Sequence, residues 1–201
     1  MNFETAKNIV AVIAPLIAIF IAWRGLSTWN RQLKGTRDSE LSRRILVALY
    51  KAEMMIREIR NPFVEYKLPP DASPFDQEAS NKAWAKHYED RWKALSETLA
   101  ELKAAGIEAK AVWDKNFIDD MHPFFASINE LHNHLSEHIQ KKLNPGYDPI
   151  YDRKETTRIV YATSVEKDDF GKRMKESVDK IDEKVRQHLA GDVPLRKRFR
   201  R

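Results

Sequence analysis

The residues best placed to do chemistry are two histidines and a glutamate in the run His134-Leu-Ser-Glu-His138. On a helix, positions four apart share a face, so His134 and His138 could offer two imidazoles to one zinc ion with Glu137 as general base, the pattern of the H-x-x-E-H peptidases. Those enzymes also need a distant carboxylate ligand and a larger α/β scaffold, and neither is recognisable here. The apolar stripe Phe117, Met121, Phe125, Ile128, His132, Leu135, Ile139 puts His132 toward the core and His134 and His138 on the flank. The expectation is therefore packing and surface histidines, with metal binding through His134, Glu137 and His138 as the minor reading and no catalytic residue assigned.

Other chemistry-bearing types are sparse. There is no cysteine, which excludes disulfides, thiolate metal sites and a cysteine nucleophile. Six glycines are spread along the chain, with no Gly-rich phosphate loop, nucleophile elbow or kinase-like set, so no cofactor is expected. Trp84, Tyr88, Trp92 and Trp113 could line a pocket, but at helical spacing they are expected to be core. Arg57 and Arg60, just ahead of Asn61-Pro62, suit the electronegative end of a helix without an anionic ligand.

The elements that must carry these residues are helices. Leu41, Ile45, Leu49, Ala52, Ile56 and Ile59 form one stripe, ended by Asn61-Pro62, with Gly35 expected as a joint upstream. Residues 61–76 hold four prolines and read as a long loop. A second stripe runs Trp84, Tyr88, Trp92, Leu95, Leu99, Leu102 to a stop at Ala105-Gly106, with residues 108–114 as a separate turn of helix. The third is the histidine-bearing stripe above, with Pro123 expected to start or kink it. Residues 156–162 are rich in β-branched side chains and read as an extended connector, since one strand has no partner. The last stripe is Phe170, Met174, Val178, Ile181, Val185, Leu189, closed by Gly191. The fold class expected is mainly α: an N-terminal transmembrane helix followed by a cytoplasmic bundle of about four helices.

The transmembrane expectation rests on residues 8–23, which carry no charge and lie between Lys7 and Arg24. Sixteen helical residues span about 24 Å, short of a hydrocarbon core of roughly 30 Å. Lys7 and Arg24 extending to the headgroups, with Trp23 at the interface, close the gap. Pro15 is tolerable in a membrane helix. Ala22-Trp23-Arg24 makes a poor cleavage site, which disfavours a signal peptide, and a soluble core helix is the remaining alternative.

Charge sets the orientation. Of the net +5, five cations fall in the last six residues. Arg24, Arg31, Lys34, Arg37, Arg43 and Arg44 follow the apolar run against only Asp38 and Glu40. By the positive-inside rule this places the N-terminus outside and the body in the cytoplasm, at the inner or plasma membrane. The division expected is an anchor over 1–25, a helical domain over 26–195 and a basic tail over 196–201. In that tail Arg196, Lys197, Arg198, Arg200 and Arg201 could contact anionic lipid or another anion, with nucleic acid the less favoured ligand.

Arg44-Ile-Leu-Val-Ala-Leu-Tyr-Lys51 and Arg57-Glu-Ile-Arg-Asn-Pro62, with the later Arg158-Ile-Val-Tyr161 and Asp169-Phe-Gly171, resemble an uncharacterised group of small membrane-anchored helical proteins of bacteria. These carry a similar R-x-L-x-A-x-Y-K…R-N-P block after an apolar N-terminal helix. The resemblance implies the same architecture and a bacterial inner-membrane setting, and it carries over no catalytic residue. The function expected is a non-enzymatic interaction or scaffold module at the membrane, with the bilayer and another protein as partners and self-association through the helix over 41–59. The alternatives are a membrane-tethered metal-binding enzyme or sensor with a pocket in the bundle, and nucleic-acid binding by the tail.

Overall fold

The computed structural model describes residues 3–63, 65–70, 72–73, 75–162 and 168–189, with side chains from residue 20 onward except that of residue 31. It is mainly helical: α1 (Phe3–Ile59), α2 (Gln77–Val112), α3 (Phe117–Leu143), α4 (Arg153–Val160) and α5 (Asp169–Leu189), with no strand among the described residues. α1 packs on α2 and α5, and α3 packs on the same two, so the four long helices close a ring. α4 lies against α3.

The ring forms because each helix brings an apolar stripe to one axis. From α1, Leu41, Ile45, Leu49, Ala52 and Ile59 have no exposed surface. Tyr88, Leu95 and Leu102 come from α2, Met121, Phe124 and Leu131 from α3, and Met174, Ile181 and Val185 from α5. Fully burying such a side chain is worth about 1.5–3 kcal/mol, so this axis is the main source of stability. The helix starts are marked chemically: the Asp76 carboxylate accepts from Ala79 N at 2.9 Å, and Asp152 accepts from Lys154 N and Glu155 N.

Four expectations change. α1 runs unbroken through Gly35, so no joint lies there. α2 passes through Ala105-Gly106 and absorbs residues 108–112. A Cβ on Gly106 would sit 2.6 Å from Met121 Sδ, so this glycine serves the close approach of α3 and not a helix stop. Residues 156–160 are helical, not extended: the Asp152 carboxylate caps α4 by accepting from Lys154 N and Glu155 N. On α3 the buried positions are Phe124 and Leu131 in place of Phe125 and His132, because the stripe steps by three after Met121 where a step of four was taken.

Among the described residues no helix is long and apolar enough to cross a membrane. Most of the expected anchor, including Lys7, lies outside the residues whose side chains are described, and the basic tail over 196–201 lies outside the described residues altogether. Of the expected interface residues Trp23 and Arg24 are described, and both are exposed.

Candidate functional site

The corner formed by the second half of α3, the loop over 144–152 and α4 gathers the residues singled out by chemistry. His134 is not on a flank: it is buried at 3% exposure. Its Nδ1 lies 3.0 Å from Thr156 Oγ1 of α4, and its ring packs on Tyr151 with centroids 4.2 Å apart. His132, expected inside, is exposed and stacks on Trp92. The exchange follows from α4, whose cover over that side of α3 is invisible when its residues are read as a connector.

Glu137 is also buried, and its two carboxylate oxygens accept from Ile150 N and Tyr151 N, each at 3.0 Å. It pins the loop over 144–152 to α3. His138 Nε2 pairs with Tyr161 Oη at 2.9 Å, and the imidazole meets the Trp84 ring edge-on. Burial, then the nearby charges of Lys142 and Arg153, push the His138 pKa down and favour its neutral form. The three side chains of the H-x-x-E-H run are thus engaged separately. Among the described residues no group of three or more His, Asp or Glu side chains is disposed to hold a metal ion.

Beside His138 opens a cavity of about 380 Å³, lined by Glu137, His138, Lys141, Lys142, Pro149, Tyr151, Arg153 and Thr156. Its ionic balance is cationic. Lys141 donates to Pro145 O at 3.0 Å and also to Tyr147 O, and Lys142 Nζ lies 4.1 Å above the Trp84 ring. The sole carboxylate of this lining is Glu137, already committed to two backbone N–H groups.

A second convergence was hidden from sequence reasoning. Arg60, just past α1, is buried at 5% exposure. Its guanidinium donates to both oxygens of Asp168 at 2.7 and 2.8 Å, to Ile159 O at 2.8 Å and to Arg158 O at 3.2 Å, and lies 4.5 Å over Phe170. Asp168 also accepts from Gly171 N at 2.9 Å. Burial raises the Asp168 carboxyl, but the bonds from Arg60 and Gly171 together outweigh it and hold its pKa below the ordinary value. The blocks Arg57–Pro62, Arg158–Tyr161 and Asp169–Gly171 therefore meet at one latch. Nothing in their spacing announces it, since the partners lie about a hundred positions apart.

The aromatic set divides. Trp84 and Tyr88 are buried, whereas Trp92 is half-buried against His132. Trp113 donates from Nε1 to Asp38 at 3.0 Å, stacks on His188 at 4.3 Å and meets Phe117, tying α1, α3 and α5 together at one end. Comparison with protein-family models, with curated proteins and with solved structures finds no match for this chain.

Proposed function

We propose that this chain is a single-pass, membrane-anchored helical protein whose bundle acts as a non-enzymatic interaction or scaffold module at the cytoplasmic face. The observation that supports this most is the continuity of α1. One helix of 57 residues carries the uncharged run of the sequence at its start and the bundle core at its end. At about 1.5 Å per residue it extends some 85 Å, so the bundle is mounted on whatever holds the N-terminal part. Phe20, Ile21 and Trp23 continue the apolar run as exposed side chains on α1, as lipid contacts would. In this reading Lys7, Trp23 and Arg24 border the bilayer, and the cations of 196–201 add contact with anionic headgroups in preference to nucleic acid.

Fractionation tests the anchor. Full-length protein is expected in the membrane pellet, resistant to alkaline carbonate and released by detergent; recovery in the soluble fraction without detergent overturns it. Crosslinked pull-down from membranes tests the scaffold: a partner is expected that is lost when the bundle surface is altered.

A second reading, a sensor with its pocket in the bundle, draws on the cationic cavity beside His138. Its volume suits a small molecule, and its charge suits an anion. Inorganic phosphate or acetate is expected to raise the melting temperature in wild type but not in Arg153→Ala. Equal shifts in both proteins count against the pocket.

A further inference from the structure

The end of the bundle that α1 reaches last gathers positive charge that no carboxylate answers. Arg91 of α2 donates to Glu58 O at 2.6 Å, so the start of α2 lies beside and beyond the end of α1. Asn81, ten residues nearer that start, donates to Lys142 O at 3.1 Å and brings the end of α3 to the same place. The cavity beside His138 lies at this end, with Lys141, Lys142 and Arg153 in its wall.

The three cations differ in what they already do. Lys141 donates to two backbone carbonyls. Lys142 Nζ rests over the Trp84 face and meets no carboxylate. The Arg153 guanidinium has no hydrogen bond or ion pair among the described residues. Other cations of the bundle surface are paired, as Arg44 is with Glu108, Arg173 with Glu130, and Lys180 with Asp120. Here the acids are spent on backbone: Glu137 on the loop over 144–152, and Asp152, next to Arg153, on the start of α4. Asp148 and Glu155 are exposed and form no part of the wall. Burial first, then Lys142 and Arg153, depress the His138 pKa, so both cations bear on one point of that wall.

Charge decides the class of occupant. A carboxylate brings one negative charge and leaves most of this field unanswered. A phosphate monoester brings nearly two, with three oxygens that suit a guanidinium fork and ammonium point charges together. We propose that the cavity is the site of a doubly charged oxyanion of the phosphate-monoester class, carried on a small soluble molecule and held by Arg153, Lys142 and Lys141. This ligand class rests on the reading of a bundle pocket that takes an anion. Tyr151 and Pro149 in the same wall offer surface for the organic part of such a molecule. A lipid headgroup carries the same phosphate, but Glu58 stands about 50 Å beyond Arg24 along α1, so a bilayer around the start of α1 lies far from the cavity.

The test is calorimetric titration of the full chain in neutral-detergent micelles with sulfate, glycerol phosphate and acetate, at constant ionic strength. At about pH 7.5 the first two are doubly charged and acetate singly. In wild type the two dianions are expected to bind about tenfold more tightly than acetate. The preference should vanish in Arg153→Ala, shrink in Lys142→Gln and persist in Lys103→Gln, an exposed cation of α2 outside the cavity wall. Arg153 is itself exposed, so its loss leaves the core intact. Sulfate should also move the His138 ring-proton titration, read by NMR, to higher pH, because a seated dianion offsets Lys142 and Arg153. Equal affinity for all three anions, lost in Arg153→Ala, overturns the dianion class and leaves the anion pocket standing. No binding in wild type, or binding unchanged in Arg153→Ala with His138 unmoved, overturns both. If phosphatidic acid in the micelles moves His138 while glycerol phosphate does not, the ligand is a lipid headgroup and the soluble molecule is overturned.

Discussion

Arg60 is a buried guanidinium held inside the protein by a carboxylate, two carbonyls and an aromatic face. A buried charge left alone is costly, so the latch is expected to be strongly asymmetric in mutagenesis. Arg60→Ala leaves the partly buried Asp168 without its cation and is expected to cost about 3 kcal/mol in urea unfolding, a cost that neutral surface changes do not approach. Gly171 stands against the same carboxylate: a Cβ there would run into Asp168 Oδ2. Gly171→Ala is therefore expected to cost about 1–3 kcal/mol, and the two changes together less than their sum, because both break one unit. Additivity within error in a double-mutant cycle would show that they act separately. The latch also sets a pH dependence. The folded pKa of Asp168 is depressed, so its contribution is fully present above the unfolded value near 3.8 and is lost as pH falls through the folded value. Below about pH 4, wild type should lose more stability than Arg60→Ala.

At the scale of elements, the glycines separate two kinds of helix position. Gly106 sits in α2 because Met121 of α3 occupies the space a side chain would need. A side chain at Gly35 would meet open space, and this residue lies in the stretch of α1 beyond the bundle. Replacing a solvent-facing helix glycine by alanine stabilises that helix by about 1 kcal/mol. Gly35→Ala is expected to slow amide exchange across residues 30–40 with little change in global unfolding, since the core over 41–59 is untouched. Faster exchange there would mean that the helix does not run through Gly35. α4 teaches a related point. Its eight residues carry isoleucine, valine and two threonines, which disfavour helix locally, yet the Asp152 cap and burial of Thr156, Ile159 and Val160 against the bundle hold them helical.

For the whole molecule, three partly buried histidines shape stability near neutral pH. His87, His138 and His188 all have pKa values lowered first by burial. A depressed histidine binds its proton less readily when folded than when unfolded. Stability from this source is full above the ordinary value of 6.5 and declines as pH falls below it. Melting temperature should drop between pH 7 and 5, and the drop should shrink in His138→Gln, which keeps a hydrogen-bonding side chain beside Tyr161. A slope unchanged by that substitution would assign the effect to His87 and His188 alone. At this scale, too, the bundle is fixed to one long helix, α1, and takes its orientation from it.

The sequence by itself determined the helical class, the stripe Leu41 to Ile59 and the aromatic core positions Trp84 and Tyr88, because a 3.6-residue period is local and each helix shows it unaided. Only the tertiary structure decided which histidine is inside, that Glu137 holds the loop over 144–152, and that Arg60 reaches Asp168. Those outcomes depend on side chains brought together across long stretches of chain, and hydrogen-bond geometry and burial at such distances leave no periodic trace in the residues themselves.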